Sequence, residues 1–320
     1  NVSKNTIASY RDSFVQFINY MKDINGIPVE RLLLKHLTRD NVINYLQWLH
    51  NTKKNTSATC NYRLAAIRSF CSYLQYIVID NMVEWQSILS IKAKKTEISP
   101  PNYLSMEGIK LLLAQPDTTS WKGRRHLALL SLMYDTGARV QEIADLTVDC
   151  VRIDTTPYTI RLTGKGRKTR IVPLAEAQVD ILRSYMEENN LNDPNMIKKP
   201  LFFNGRHEKL TREGITYILK IYADMANKQQ PEIIPKKISC HSIRHSKAMH
   251  LLQAGVNLVY IRDILGHVSI QTTDVYARAD SKAKREALEN AYTRLTPNTI
   301  TEKEWERNKN LLEWLKGLGH

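Results

Sequence analysis

Six side chains in the last two thirds of this chain carry groups suited to work on a phosphate: Arg139, Lys165, His241, Arg244, His267 and Tyr276. Two guanidiniums are the usual bidentate grip on phosphate oxygens. They would also stabilise the extra negative charge of a five-coordinate phosphorus more than that of the ground state. A phenol is a competent nucleophile once its proton can leave, and a lysine or histidine can protonate the departing oxygen. Nothing in the sequence looks like a carboxylate cage for magnesium. Metal-free phosphoryl transfer through Tyr276 is therefore the coherent chemistry of the set.

Taken singly, each residue has a plainer explanation. Arg139 follows "LMYDTGA" at the end of an apolar segment, where an arginine pairing with Glu142 three residues on is common and weak. Lys165 stands between Gly164 and Gly166, and a basic turn often touches only a phosphate or water. In "CHSIRHS", His241 and Arg244 share one face of a helix. Cys240, His241, His245 and His250 invite a metal reading, but no second ligand pair stands at a known spacing and Arg244 would oppose a cation. No metal and no other cofactor is expected. "LLQAGVNLVYIRDILGH" has the outline of a helix-turn-helix, which keeps a non-catalytic DNA-binding regulator as an alternative.

The elements that must hold these groups fall into two parts. Residues 1–93 read as three or four short helices. Tyr10, Phe14, Phe17, Ile18 and Met21 recur at helical spacing, Thr38 stands as N-cap ahead of Val42, Ile43, Leu46 and Leu49, and a third helix starts near Ser57. Lys53, Lys54, Arg63 and Arg68 give this bundle a basic rim. Residues 94–103, with Lys94, Lys95 and the Pro100–Pro101 pair, lack periodicity and read as a linker. Residues 104–296 mix types. Ser105 caps one helix, a strongly apolar helix stops at Gly137, and Thr159–Thr163 and Thr169–Val172 flank a Gly164–Gly166 turn as a hairpin that also carries Arg167 and Lys168. Further helices follow, one capped by Gly266. Residues 297–320 form an amphipathic segment with Trp305, Leu311, Leu312, Trp314 and Leu315 to bury. The expected class is mostly α with a small antiparallel sheet.

The net charge of +14 is spread over both parts, +6 within residues 1–100 and +8 in the remainder. A polyanion held between two basic domains fits that distribution. Cys60, Cys71, Cys150 and Cys240 form no CxxC pair and suit reduced thiols in a cytosolic protein. No apolar run reaches membrane-spanning length, no signal peptide is evident, and the start at Asn1 leaves room for a segment ahead of it.

The motifs "TGARVQEIADL", "TGKGRKTRIVPL", "HSIRH" and "LGHVSIQTTDVYAR" together resemble the tyrosine recombinases, the phage-integrase superfamily that includes Xer-like proteins and mobile-element integrases. The order agrees too, with 102 residues from Arg139 to His241, 23 from Arg244 to His267 and 9 from His267 to Tyr276. The resemblance implies a helical core-binding domain ahead of a catalytic domain. It implies that Tyr276 attacks a DNA phosphate to give a 3′-phosphotyrosyl link, without metal or ATP. Arg139 and Arg244 would hold the non-bridging oxygens, with Glu142 bracing Arg139. Lys165 would protonate the 5′-oxygen, His241 would assist at the tyrosine, and His267 would bond the phosphate. Lys53, Lys54, Arg63, Arg68, Lys94, Lys95, Arg167 and Lys168 would meet DNA. The implied partners are double-stranded DNA bearing inverted-repeat core sites and a homotetramer that passes through a Holliday junction, with the 297–320 helix packing in cis or in trans. The implied setting is the bacterial cytoplasm at the nucleoid. A type IB topoisomerase shares the chemistry and stands as the nearer alternative.

Overall fold

A computed structural model describes residues 4–96, 101–267 and 269–279. The expected helix at 297–320, and the boundary at 296, lie outside the described residues. The chain divides into two compact units, Asn1–Ser99 and Pro100–His320.

The first unit is a four-helix bundle: α1 (Lys4–Asp23), α2 (Arg39–Asn51), α3 (Ser57–Leu74) and α4 (Met82–Leu89). Thr38 and Thr56 start α2 and α3 by accepting the free amides of Asn41 and Thr59, which have no partner inside the helix. The apolar faces meet in one core around Met21, Tyr45, Leu49, Ile67, Trp85 and Ile88. On α1 that face is set by Phe17, Tyr20 and Met21, while Tyr10, Phe14 and Ile18 stay half-buried at its margin.

The second unit opens with α5 (Met106–Leu113), capped by Ser105, and α6 (Trp121–Thr136). Gly137 ends α6 at φ +57°, a left-handed cap that costs glycine little. Then come α7 (Val140–Ala144) and three antiparallel strands: β1 (Val151–Arg152), β2 (Thr159–Thr163) and β3 (Thr169–Pro173), in that order across the sheet. Leu162 stands opposite Arg170 and Ile160 opposite Val172. Period-two alternation therefore puts Arg170 on the same face as the buried Ile160, Leu162 and Val172. The link between β2 and β3 spans five residues, Gly164 to Lys168, and is closed by Gly164 N–H donating to Lys168 O at 2.8 Å. The remaining helices are α8 (Glu176–Glu188), α9 (Arg212–Gln229), α10 (Cys240–Gln253), α11 (Leu258–Leu265) and α12 (Gln271–Ala279). The fold is mostly helical with one small antiparallel sheet, as the sequence reading expects. Strand β1 was not foreseen.

Most of this unit shares one core, with Leu129, Leu132, Ile160, Leu182 and Ile215 fully buried. A smaller cluster, Ala248, Met249, Ile261, Leu265 and Tyr276, ties α10, α11 and α12 together. All four cysteines are free. No helix among the described residues is long and apolar enough to cross a membrane.

Candidate active site

Two helix ends make the floor of the site. Helix α6 ends at Gly137 and α11 ends at Gly266, both left-handed, and each turns its last carbonyls toward the start of α10. Arg244 sits between them. Its Nη1 donates to Gly137 O at 2.7 Å and its Nη2 to Leu265 O at 2.6 Å, so a cation satisfies the negative ends of two helices. The residue is 1% exposed. Burial, and then repulsion from Arg139, brings its pKa down to about 10, which still leaves it charged at neutral pH.

Arg139 begins α7, where Glu142, at the third helical position, accepts its backbone N–H at 2.8 Å and its Nη1 at 2.9 Å. Its Nη2 reaches Gly266 O at 3.2 Å. Glu142 also receives Arg170, Nη1 to Oε1 at 2.9 Å and Nη2 to Oε2 at 2.7 Å. Burial alone would raise this carboxyl, but the hydrogen bonds from Arg170 and Arg139 outweigh it and hold the pKa at about 2. The Arg139 side chain stays 37% exposed and opens onto a cleft of ≈ 510 Å³, which Lys168, Arg170, Arg262 and His267 also line.

Tyr276, on α12, is 2% exposed, and its hydroxyl lies 2.9 Å from His245 Nδ1. Its ring stacks on His267 with centroids 6.3 Å apart and planes 14° apart. Burial raises the phenol's pKa, and the Arg244 and Arg139 cations counter it. His245 is pulled down to about 4 by burial, then by His241 and Arg244, so it is neutral at pH 7 and able to accept a proton. His267, also near 4 through burial and then Arg244, shares a 2.8 Å hydrogen bond with Thr273 Oγ1. His241, itself exposed, meets His245 edge-on at 4.5 Å, and partial desolvation followed by the Arg244 and Arg139 cations lowers its pKa.

Arg139, Glu142, His241, Arg244, His267 and Tyr276, from stretches more than a hundred residues apart, thus meet in one place. Lys165 lies at backbone level in the β2–β3 link; its side chain is outside the described residues. Arg167 and Lys168 are exposed on the same link, where Arg167 holds φ +58°. In the first unit Lys53, Lys54, Lys94 and Lys95 are exposed and Arg68 is half-buried. Arg63 is half-buried and tied to Ser13 Oγ at 3.0 Å. The imidazole on the phenol is His245, which the sequence reading did not select, although its position four residues after His241 puts it on the same helical face. Arg170 was also missed. The histidines of the metal reading face different partners, His245 toward Tyr276 and His250 toward Tyr134.

Residues 102–283 match the phage integrase family, and residues 1–76 match the N-terminal SAM-like domain of phage integrases. The chain belongs to the phage integrase family, the tyrosine recombinases. The tyrosine recombinase XerC of Herpetosiphon aurantiacus is 32% identical over 305 residues, 90% of this chain and 91% of that protein. XerD of Listeria monocytogenes serotype 4b is 30% identical over 277 residues, 86% of this chain and 88% of its own length. Among solved structures, the Tn1549 transposon integrase in complex with transposon right end DNA superposes with a TM-score of 0.68 at 18% identity. That match covers 91% of this recombinase and 94% of the other chain, and it shows the shared fold. This recombinase is accordingly a tyrosine site-specific recombinase by family.

Proposed function

We propose that this recombinase cuts and rejoins DNA at specific sites through a covalent link between Tyr276 and a 3′-phosphate, with strand exchange through a Holliday junction. The observation that carries the reading is the setting of the phenol: Tyr276 stands on a neutral imidazole, stacked on a second, within the field of two buried or half-buried arginines.

In this reading the phenolic proton passes to His245 Nδ1 as Tyr276 Oη bonds to phosphorus, with His241 behind His245 to spread the charge. Arg139 and Arg244 hold the non-bridging oxygens, and His267 adds a hydrogen bond. Lys165 gives its proton to the departing 5′-oxygen. The phosphodiester energy stays in the tyrosyl ester, so a 5′-hydroxyl from another strand can reverse the step without ATP or metal. Tyr276 and Arg244 are 2% and 1% exposed, so α12 and the turn after Gly266 must shift before either meets a duplex. That makes attack conditional on docking. Lys53, Lys54, Arg68, Lys94, Lys95, Arg167 and Lys168 are the further DNA contacts, while Arg63 acts mainly through Ser13. The proposed assembly is a tetramer on two duplexes with inverted-repeat core sites, and integration or transposition of a mobile element is the favoured role. No observation favours a relaxing topoisomerase or a non-catalytic regulator.

The test is to incubate the protein in EDTA with nicked duplexes tiled across the DNA flanking its gene, beside Tyr276→Phe. A protease-sensitive adduct that disappears in Tyr276→Phe supports the reading. An adduct that persists in the variant overturns it.

A further inference from the structure

Arg170 is the most heavily engaged side chain near the site to which the family motif assigns no role. Its side chain is 11% exposed, although it lies in a strand where alternate residues face solvent. All three guanidinium nitrogens are used. Nη1 and Nη2 clamp both oxygens of Glu142, and Nε donates to Ile264 O at 2.7 Å, in the last turn of α11. One side chain thus joins β3, α7 and the end of the helix that leads to His267. It also fills the space beside Gly266, where an added Cβ would stand 2.9 Å from its Nη1.

The charge balance gives this clamp a consequence. Glu142 is 4% exposed and stays ionised, its pKa held at about 2. Paired with Arg139 alone, it would cancel the charge of a guanidinium that opens onto the cleft. With two arginines on one carboxylate, a net positive charge remains. The bidentate fork of Arg170 occupies both carboxylate oxygens and leaves Arg139 a single side-chain bond to Glu142, so Arg139 keeps donors for an anion.

We infer that Arg170 is a positioning residue for the cleavage reaction: it neutralises Glu142 so that Arg139 keeps its charge for the scissile phosphate, and it fixes the hairpin against the turn that carries His267. The role rests on the functional reading above. It acts through Glu142 and the α11 carboxyl end, where its three guanidinium nitrogens are engaged.

The experiment compares wild type, Arg170→Gln, Arg170→Lys, Glu142→Gln and the Arg170→Gln/Glu142→Gln double variant. It measures single-turnover adduct formation on the nicked duplexes that wild type cleaves, together with duplex affinity and thermal midpoint. Arg170→Gln is expected to slow cleavage roughly 10- to 100-fold while duplex affinity changes less than about threefold. Arg170→Lys, which keeps the charge without the fork, falls between. The deciding arm is the double variant: with the stranded carboxylate gone, it should cleave faster than Arg170→Gln alone. Arg170→Gln at wild-type rate overturns the proposal. So does a loss that follows the thermal midpoint and is not relieved by Glu142→Gln, which would make Arg170 a folding residue only. Wild type that forms no adduct on any duplex overturns the functional reading, and this role with it.

Discussion

Glu142 carries an electrostatic load out of proportion to its place in the chemistry, because one buried carboxylate pairs with both Arg139 and Arg170. Its folded pKa of about 2 lies below the ordinary 4.5, so it contributes stability that is fully present above about pH 4.5. That stability is lost as pH falls through 2. The difference amounts to about 3 kcal/mol at neutral pH, by the usual 1.4 kcal/mol per pKa unit. Glu142→Gln should therefore be destabilised against wild type at pH 7, and the gap in unfolding free energy should close between pH 4.5 and 2. Denaturant melts of both proteins at several pH values would check it; a gap that stays constant across that window would show that the carboxylate is not the source. Arg139 was legible at the end of an apolar segment and Arg244 from the helical face it shares with His241, while His267 and Tyr276 stood out through the resemblance of their motif to the tyrosine recombinases. Arg170 was not legible. In "TRIVP" it reads as the outward member of an alternating pair, and partners distant in sequence, Glu142 and the Ile264 carbonyl, account for its inward placement. His245 was in view but indistinguishable from its neighbour His241 until α12 laid the phenol against it.

The two helix ends decide where the arginines stand. Gly137 has φ +57°, and a Cβ there would come within 2.7 Å of Leu265 Cδ2, at the end of the other helix. Gly137→Ala is therefore expected to cost about 1 to 2 kcal/mol from the left-handed backbone and the contact together. It should also slow cleavage more than a substitution of equal cost in the N-terminal bundle, since it parts the two carbonyls that hold Arg244. Urea melts paired with adduct kinetics would test this, and a cleavage loss no greater than the bundle control would refute it. The caps themselves were readable: Thr38, Ser105, Gly137 and Gly266 all do what their types suggest. Strand β1 was not readable, because two residues carry no period. Its existence depends on Val151 and Arg152 meeting the edge of β2.

Across the whole molecule, positive charge is divided between two compact units, and the exposed lysines at 94 and 95 lie in the first of them, just ahead of the division at Ser99. Asn61 fixes the backbone there, its amide bonding Lys94 O and its carbonyl oxygen accepting Lys94 N–H, both at 2.9 Å. The two side chains are thereby presented from an anchored strand of chain. Replacing Lys94 and Lys95 by Ala should lower the steepness of the fall of duplex affinity with salt by roughly 1 to 2 in log–log slope, leaving the cleavage rate at saturating DNA unchanged. An unaltered slope would show that neither lysine meets a phosphate. The sequence reading places a break in periodicity near Pro100, where the two compact units divide, whereas the inward turn of Arg63 onto Ser13 was not legible, since a basic residue on a helix is ordinarily solvated.

Arg244 joins the carbonyls of Gly137 and Leu265, and that has a practical consequence for anyone who wants a form of this protein that occupies DNA without cutting it. Substituting Arg244 would strand two buried acceptors and release the ends of α6 and α11 together, so the resulting silence would mix lost chemistry with lost shape. Tyr276→Phe removes one oxygen from a ring that keeps its stacking on His267 and its place in the α10–α12 cluster. It is the substitution that would leave an intact scaffold, usable as an inert occupant or a capture reagent for the protein's own target sequence.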